Sequence, residues 1–155
     1  MCGICGFTGE ILNREKILKN MTDVITHRGP NSEGFFSTEA ISMGFRRLSI
    51  IDLDDGNQPI YNEDKTLVLT FNGEIYNYKE LREGHKFYTD TDSEVLIHGF
   101  EEWREKLLDK IRGMFAFAIF NTVDSSLFMA RDFFGIKPLH YAIVGNQLVY
   151  GSDIK

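Results

Sequence analysis

The chain has 155 residues, 43% of them apolar and 26% charged, with 17 basic against 23 acidic side chains and a net charge of −6. That balance describes one globular domain with enough apolar material for a real core, and the acidic surplus argues against a nucleic-acid or anionic-membrane surface. No basic and apolar leader opens the sequence, no apolar run approaches the roughly 20 residues that cross a bilayer, and two cysteines without a secretion signal read as reduced and cytoplasmic.

In chain order, "GICGFTG" has the alternation of a short buried strand. "NREKILKNMTDVITHRG" follows with Ile17, Leu18, Met21, Val24 and Ile25 near a 3.6-residue period, which predicts a helix capped by Asn13 and ended by the "RGPNSEG" loop. "FFSTEAISMGF" predicts a hairpin with its turn near Thr38–Glu39, and "LVLTFNGEIYNY" a strand that breaks into a turn at Asn72–Gly73. From Asp92 to Arg112, Val95, Leu96, Phe100, Trp103, Leu107, Leu108 and Ile111 sit at helical spacing, with Gly99 weakening the helix but not stopping it. "MFAFAIFN", "SLFMAR", "LHYAIV" and "QLVYGS" then read as consecutive antiparallel strands joined by tight turns such as "GN". Strands at both ends with helices between them give an α+β layered domain, not βαβ units.

The opening "MCGICGFTG" carries the chemistry question, and it has three readings. Both thiols could be small core residues. They could instead be a C-x-x-C redox pair or half a zinc site, but His27, His85, His98 and His140 supply no matching second half, and no strand precedes the pair. In the third reading Met1 is removed, because the next residue is small, and Cys2 becomes the terminus. One residue then holds a thiol of reference pKa about 8.5 and an α-amine of about 7.7–8.0, close enough for the amine to take the thiol proton and return it to a leaving group. Nucleophile and base become a single residue, and no partner histidine is required.

A thiolate attacking an amide creates an oxyanion that needs preorganised donors. In "FNGEIYNY" the Asn72 side-chain amide and the Gly73 N–H could supply them, although "NG" is equally the mark of a plain hairpin turn. An amino-acid substrate needs a cation and an anion as well. Arg46 and Arg47 fall on opposite faces of a strand, so that one could face solvent while the other forks a carboxylate. Asp90 and Asp92 precede the long helix, where Asp92 suits an N-cap, an ammonium ligand, or both.

"MCGICGF", "HRGPNSEG", "RRLSIIDL…QPIYNED", "FNGEIYNYKEL", "DTDSEV", "RGMFAFAIFN" and "ARDFFGIKPLHY" occur in that order. Together they resemble the glutaminase domain of class II glutamine amidotransferases, in the asparagine synthetase branch, over residues 1–155. The resemblance implies the N-terminal-nucleophile hydrolase fold, a four-layer αββα sandwich of two antiparallel sheets. It implies hydrolysis of the L-glutamine side-chain amide to glutamate and ammonia through a thioester on Cys2. Carried over by motif, Cys2 is the nucleophile and Asn72 with Gly73 the oxyanion hole. Arg47 binds the substrate carboxylate, Leu48, Ser49, Ile50 and Ile51 line the pocket, and Glu74 and Asp92 lie near the substrate amine. Cys5 takes no role and no metal is implied. Three departures stand out: "REG" is shorter than the family's insert, Asn31 replaces an aspartate, and Phe45 stands where histidine is frequent. The pyrophosphate loop of the type "SGGxDS" is missing, so ATP and magnesium are expected only in a synthetase domain absent from this chain. The chain is then a separated half or the companion of a synthetase subunit, with a homodimer among the assemblies the resemblance allows. Asparagine synthesis is the default destination of the ammonia. Amidation of another carboxylate, such as a sugar acid, and a non-catalytic module keeping the fold are the alternatives.

Overall fold

In a computed structural model, which describes residues 1–49 and 56–155, the chain folds as two antiparallel sheets flanked by helices. The strands are β1 (Gly3–Thr8), β2 (Ser32–Ser37), β3 (Ile41–Arg47), β4 (Ile60–Tyr61), β5 (Leu67–Ile75), β6 (Gly113–Asn121), β7 (Leu127–Arg131), β8 (His140–Val144) and β9 (Gln147–Gly151). The helices are α1 (Arg14–Val24), α2 (Tyr78–Leu81), α3 (Ser93–Trp103) and α4 (Leu107–Lys110). One sheet runs β2-β3-β1-β9-β8 and the other β4-β5-β6-β7.

Three cores separate four layers, as the αββα expectation requires. Alternation along β1 sends Ile4 inward between the sheets and Cys5 and Phe7 outward against Leu18 and Ile25. The inner core joins Met43, Phe45, Val68, Ala118 and Phe120 from both sheets. On the far side, Leu69, Phe71, Ile75 and Phe117 pack against Leu96, Ile97 and Phe100 of α3. Phe45 is thus a core residue of the inner layer.

Several sequence expectations need correction. Asn13 holds the N-cap position of α1 but makes no side-chain capping bond; its backbone is left-handed, with φ 60°, and its carbonyl accepts the Ile17 N–H at 3.0 Å. Strand β5 does not turn at Asn72–Gly73, because both stay in register with β6, opposite Ala116 and Phe115. The strands from β6 to β9 are not one consecutive meander: β7 closes one sheet while β8 and β9 belong to the other. The long helix breaks at Arg104, with φ 52°, and continues through a 3₁₀ turn into α4. Gly99 explains the break. A Cβ there would lie 2.6 Å from Leu107 Cδ1, so the chain doubles back and seats Leu107 on the glycine. The hairpin turn at residues 38–40 and the "GN" turn between β8 and β9 fall where expected.

Candidate functional site

Strand alternation places the candidate residues on one face. Cys2 shares the parity of Ile4, Arg47 that of Met43 and Phe45, and Asn72 that of Val68, so all three belong to the face between the sheets. Gly3 is in register with Arg46, which brings Cys2 level with the end of β3. There the Leu48 N–H points at Cys2 Sγ from 3.4 Å. Asn31 steadies this corner: its Oδ1 accepts the Ser49 N–H at 3.0 Å and its N–H donates to Arg47 O at 3.1 Å.

The β5 ladder explains which donors of Asn72 and Gly73 are open. Tyr76 N–H donates to Arg112 O and Thr122 N–H to Thr66 O, so the even residues of β5 bond to β6. The odd residues therefore turn their N–H groups to the opposite edge. On that edge the Gln58 side chain closes the rung at Phe71, accepting its N–H at 2.6 Å and donating to its carbonyl at 3.0 Å. Asp92 Oδ2 closes the rung at Ile75, at 2.7 Å. Gly73 lies between them, its N–H left on the open edge. Its φ is +153°, and a Cβ would come 2.1 Å from Met114 O, so only glycine lets β5 approach β6 this closely. Beside it Asn72 is 2% exposed and its amide nitrogen has no hydrogen-bond partner. Buried donors are almost always satisfied, and an orphaned one adjoining an open N–H marks a place for a ligand oxygen.

The flanking charges are placed as follows. Arg46 and Arg47 do diverge, but neither faces solvent. Arg46 turns to α1, donating to Thr22 O and pairing with Asp23 and Glu33. Arg47 is also buried and reaches Asn57 Oδ1 at 3.4 Å. Asp92 stands at the α3 N-cap position without a side-chain capping bond, since its carboxylate is spent on Ile75. Burial pushes the Asp92 carboxyl above its ordinary range, and the neighbouring negative charge of Glu74 adds to that, which makes the pair a ready acceptor for a cation. Asp90 takes no part; fully exposed, it lies 3.8 Å from Arg82. Ile50 and Ile51 lie outside the described residues.

Cys5 has a different environment. Being three residues from Cys2 on one strand, it points to the opposite face, where burial pushes its thiol up to about 12. Both cysteines are free. The opposed faces rule out a Cys2–Cys5 couple in this strand. Sequence reasoning missed Gln58, Asn57 and Lys137, since a lone amide or lysine has no spacing pattern to announce it.

Residues 1–155 match the glutamine amidotransferase domain family. The chain is 46% identical over 165 residues to glutamine-hydrolysing asparagine synthetase 1 of Bacillus subtilis, covering 98% of itself and 26% of that protein. Against asparagine synthetase 3 of Arabidopsis thaliana it is 44% identical over 147 residues, covering 90% of itself and 25% of the relative. It spans about a quarter of the length of these curated relatives. Among solved structures, it superposes on the glutamine phosphoribosylpyrophosphate amidotransferase of B. subtilis with a TM-score of 0.81 at 20% identity, over 97% of this chain and 42% of that one. At that identity the likeness is one of fold, and the fold is the two-sheet sandwich of N-terminal-nucleophile hydrolases.

Proposed function

Because the chain belongs to the glutamine amidotransferase domain family, we propose that residues 1–155 hydrolyse the side-chain amide of L-glutamine and release ammonia for a synthetase. The observation that carries the reading is the orphaned Asn72 amide beside the open Gly73 N–H, with the Asn72 side chain on the same inner face of the sandwich as Cys2. Removal of Met1 frees the Cys2 α-amine, which takes the thiol proton. The thiolate adds to the amide carbon, and the oxyanion accepts from Asn72 Nδ2 and Gly73 N–H. Collapse expels ammonia with the proton held by the α-amine, leaving a thioester. The amine then deprotonates water, which cleaves the thioester to glutamate and restores the thiol. Arg47 receives the substrate carboxylate, Leu48 and Ser49 line the pocket, and Glu74 and Asp92 receive the ammonium.

The acceptor we assign is aspartate, on the likeness to asparagine synthetases. Its activation, with ATP and magnesium, belongs to a synthetase domain or subunit; the glutaminase steps above use only side chains, backbone and water. We take the cytoplasm as the compartment, a reading supported by two unpaired thiols; no described helix is long and apolar enough to cross a membrane.

The test is release of glutamate and ammonia from L-glutamine by chain whose mass shows Met1 removed. Turnover is expected there, and none in Cys2→Ala or in folded protein that retains Met1. Undiminished turnover in either, or labelling of another side chain by a glutamine-mimicking electrophile, would sink the reading.

A further inference from the structure

Lys137 is a buried cation that the mechanism above does not use. It is 6% exposed, and the only hydrogen-bond partner of its Nζ among the described residues is the Met1 thioether, at 3.1 Å. A buried ammonium without a carboxylate is costly, and lysine is seldom buried unpaired. The loop that carries it is built to hold it there. Asp132 accepts the N–H groups of Ile136 at 2.8 Å, Lys137 at 2.9 Å and Phe115 at 3.2 Å, and Arg131 Nε donates to Lys137 O at 2.8 Å. Those bonds commit the carboxylate and the guanidinium of this loop to backbone groups. The other charges of this end are turned elsewhere: Arg47 toward Asn57, Arg28 (which packs against Gly3) and His27 onto Asp153, and Asp92 with Glu74 toward Ile75. What the ammonium does face is the start of the chain, through the side chain of the residue bonded to the Cys2 nitrogen.

We propose that Lys137 is a positioning charge for the nucleophile: once Met1 is removed, its ammonium holds the Cys2 α-amine in the neutral, proton-accepting form and draws the Cys2 thiol toward thiolate. The inference rests on the reading of Cys2 as an N-terminal nucleophile. An unperturbed α-amine, at about 7.7–8.0, is mostly protonated at neutral pH and so is mostly unable to act as a base. A neighbouring cation disfavours a second cation and favours an anion, so one lysine moves both groups in the useful direction, toward the operating pH where a general base works best. Met1 is itself the gauge of the site. Its thioether fills the space before Nζ, and its removal leaves the lysine facing the new terminus.

The test uses Met1-free protein and a probe that needs no glutamine. The rate at which iodoacetamide alkylates Cys2 is followed by peptide mass spectrometry from about pH 5 to about pH 10, a range that brackets both reference values. Lys137→Met and Lys137→Gln are each expected to raise the labelling midpoint by about one pH unit, and Lys137→Arg to keep it. Melting curves establish which variants are folded, and the two neutral substitutions differ in shape, so that a folding failure in one leaves the other. An unchanged midpoint in a folded neutral variant, or an arginine variant that shifts like the neutral ones, overturns the proposal. Should glutamine prove not to be the substrate, the labelling midpoints still decide the role of Lys137.

Discussion

Asn72 separates binding chemistry from packing. Its amide nitrogen is buried with no partner, so in the resting protein this group costs stability and contributes none. Asn72→Ala removes that unsatisfied donor while leaving the β5 backbone paired to Ala116. The expected outcome is a fall in glutaminase rate of about 10²–10³, the usual cost of one oxyanion donor. The melting temperature should stay level or rise, since an orphaned donor has been deleted. A parallel loss of stability and rate would mean that the side chain is structural. Much of the candidate site could be nominated at residue scale, because Cys2, Arg47, Asn72 and Asp92 announce chemistry by type and position. Asp92 was only half legible: the sequence offers it as a helix cap, and the competing partner, the Ile75 N–H, comes from a strand 17 residues earlier. Lys137 was not legible at all, since its burial follows from a loop fastened to Phe115 on another strand.

Strand β5 serves as a ladder on one side and is closed by the Gln58 and Asp92 side chains on the other, with Gly73 between them. "NG" reads locally as a turn. The structure keeps it in the strand, because nine consecutive pairs with β6 outweigh a dipeptide preference, and the glycine is needed for close approach to Met114 O. The helix break at Arg104 has the same origin. Arg, Glu and Lys are good helix formers, so nothing in "WREKL" signals an interruption. The tertiary contact of Leu107 on Gly99 imposes it. The strands and α1 were legible because their alternation and period are local properties. Their distribution over two sheets was not, since the residue 132–139 connection from β7 to β8 looks in sequence like any other loop. Gly73→Ala tests the element. A methyl 2.1 Å from a backbone oxygen cannot be absorbed by a side-chain movement, so β5 and β6 must separate. We expect a loss of about 1–3 kcal/mol, read as a melting point lower by roughly 2–4 °C per kcal/mol, together with loss of turnover. Unlike Asn72→Ala, this variant should fail in both measurements. An unaltered melting point would show that the rung is not held by that close approach.

Across the whole molecule, Ser152 and Asp153 are tied to the first strand and so to Cys2. Ser152 is fully buried; its Oγ accepts the Ile4 N–H and its N–H donates to Ile4 O, both at 2.9 Å. Next to it Asp153 receives Arg28 Nη2 at 2.5 Å and lies 2.7 Å from His27 Nε2, joining the tail to the loop after α1. The hydrogen bond from Arg28 holds the Asp153 carboxyl below its usual range. A depressed folded-state value means that the unfolded chain binds the proton more readily. This stability is therefore fully present above the unfolded carboxylate value, about 3.9, and is lost as the pH falls through the folded one. Asp153→Asn should consequently cost about 1–3 kcal/mol near neutral pH, the range for a charge-assisted hydrogen bond whose partner is left behind. The cost should shrink as wild type and variant are compared at progressively lower pH, because protonation removes the same charge from wild type. A gap that stays constant into acid would assign the effect to packing and not to the carboxylate. Since Ile4 lies two residues from Cys2, loosening this stitch should also raise the KM for glutamine in the Met1-free protein, which would make Ser152 and Asp153 part of what holds Cys2 in place.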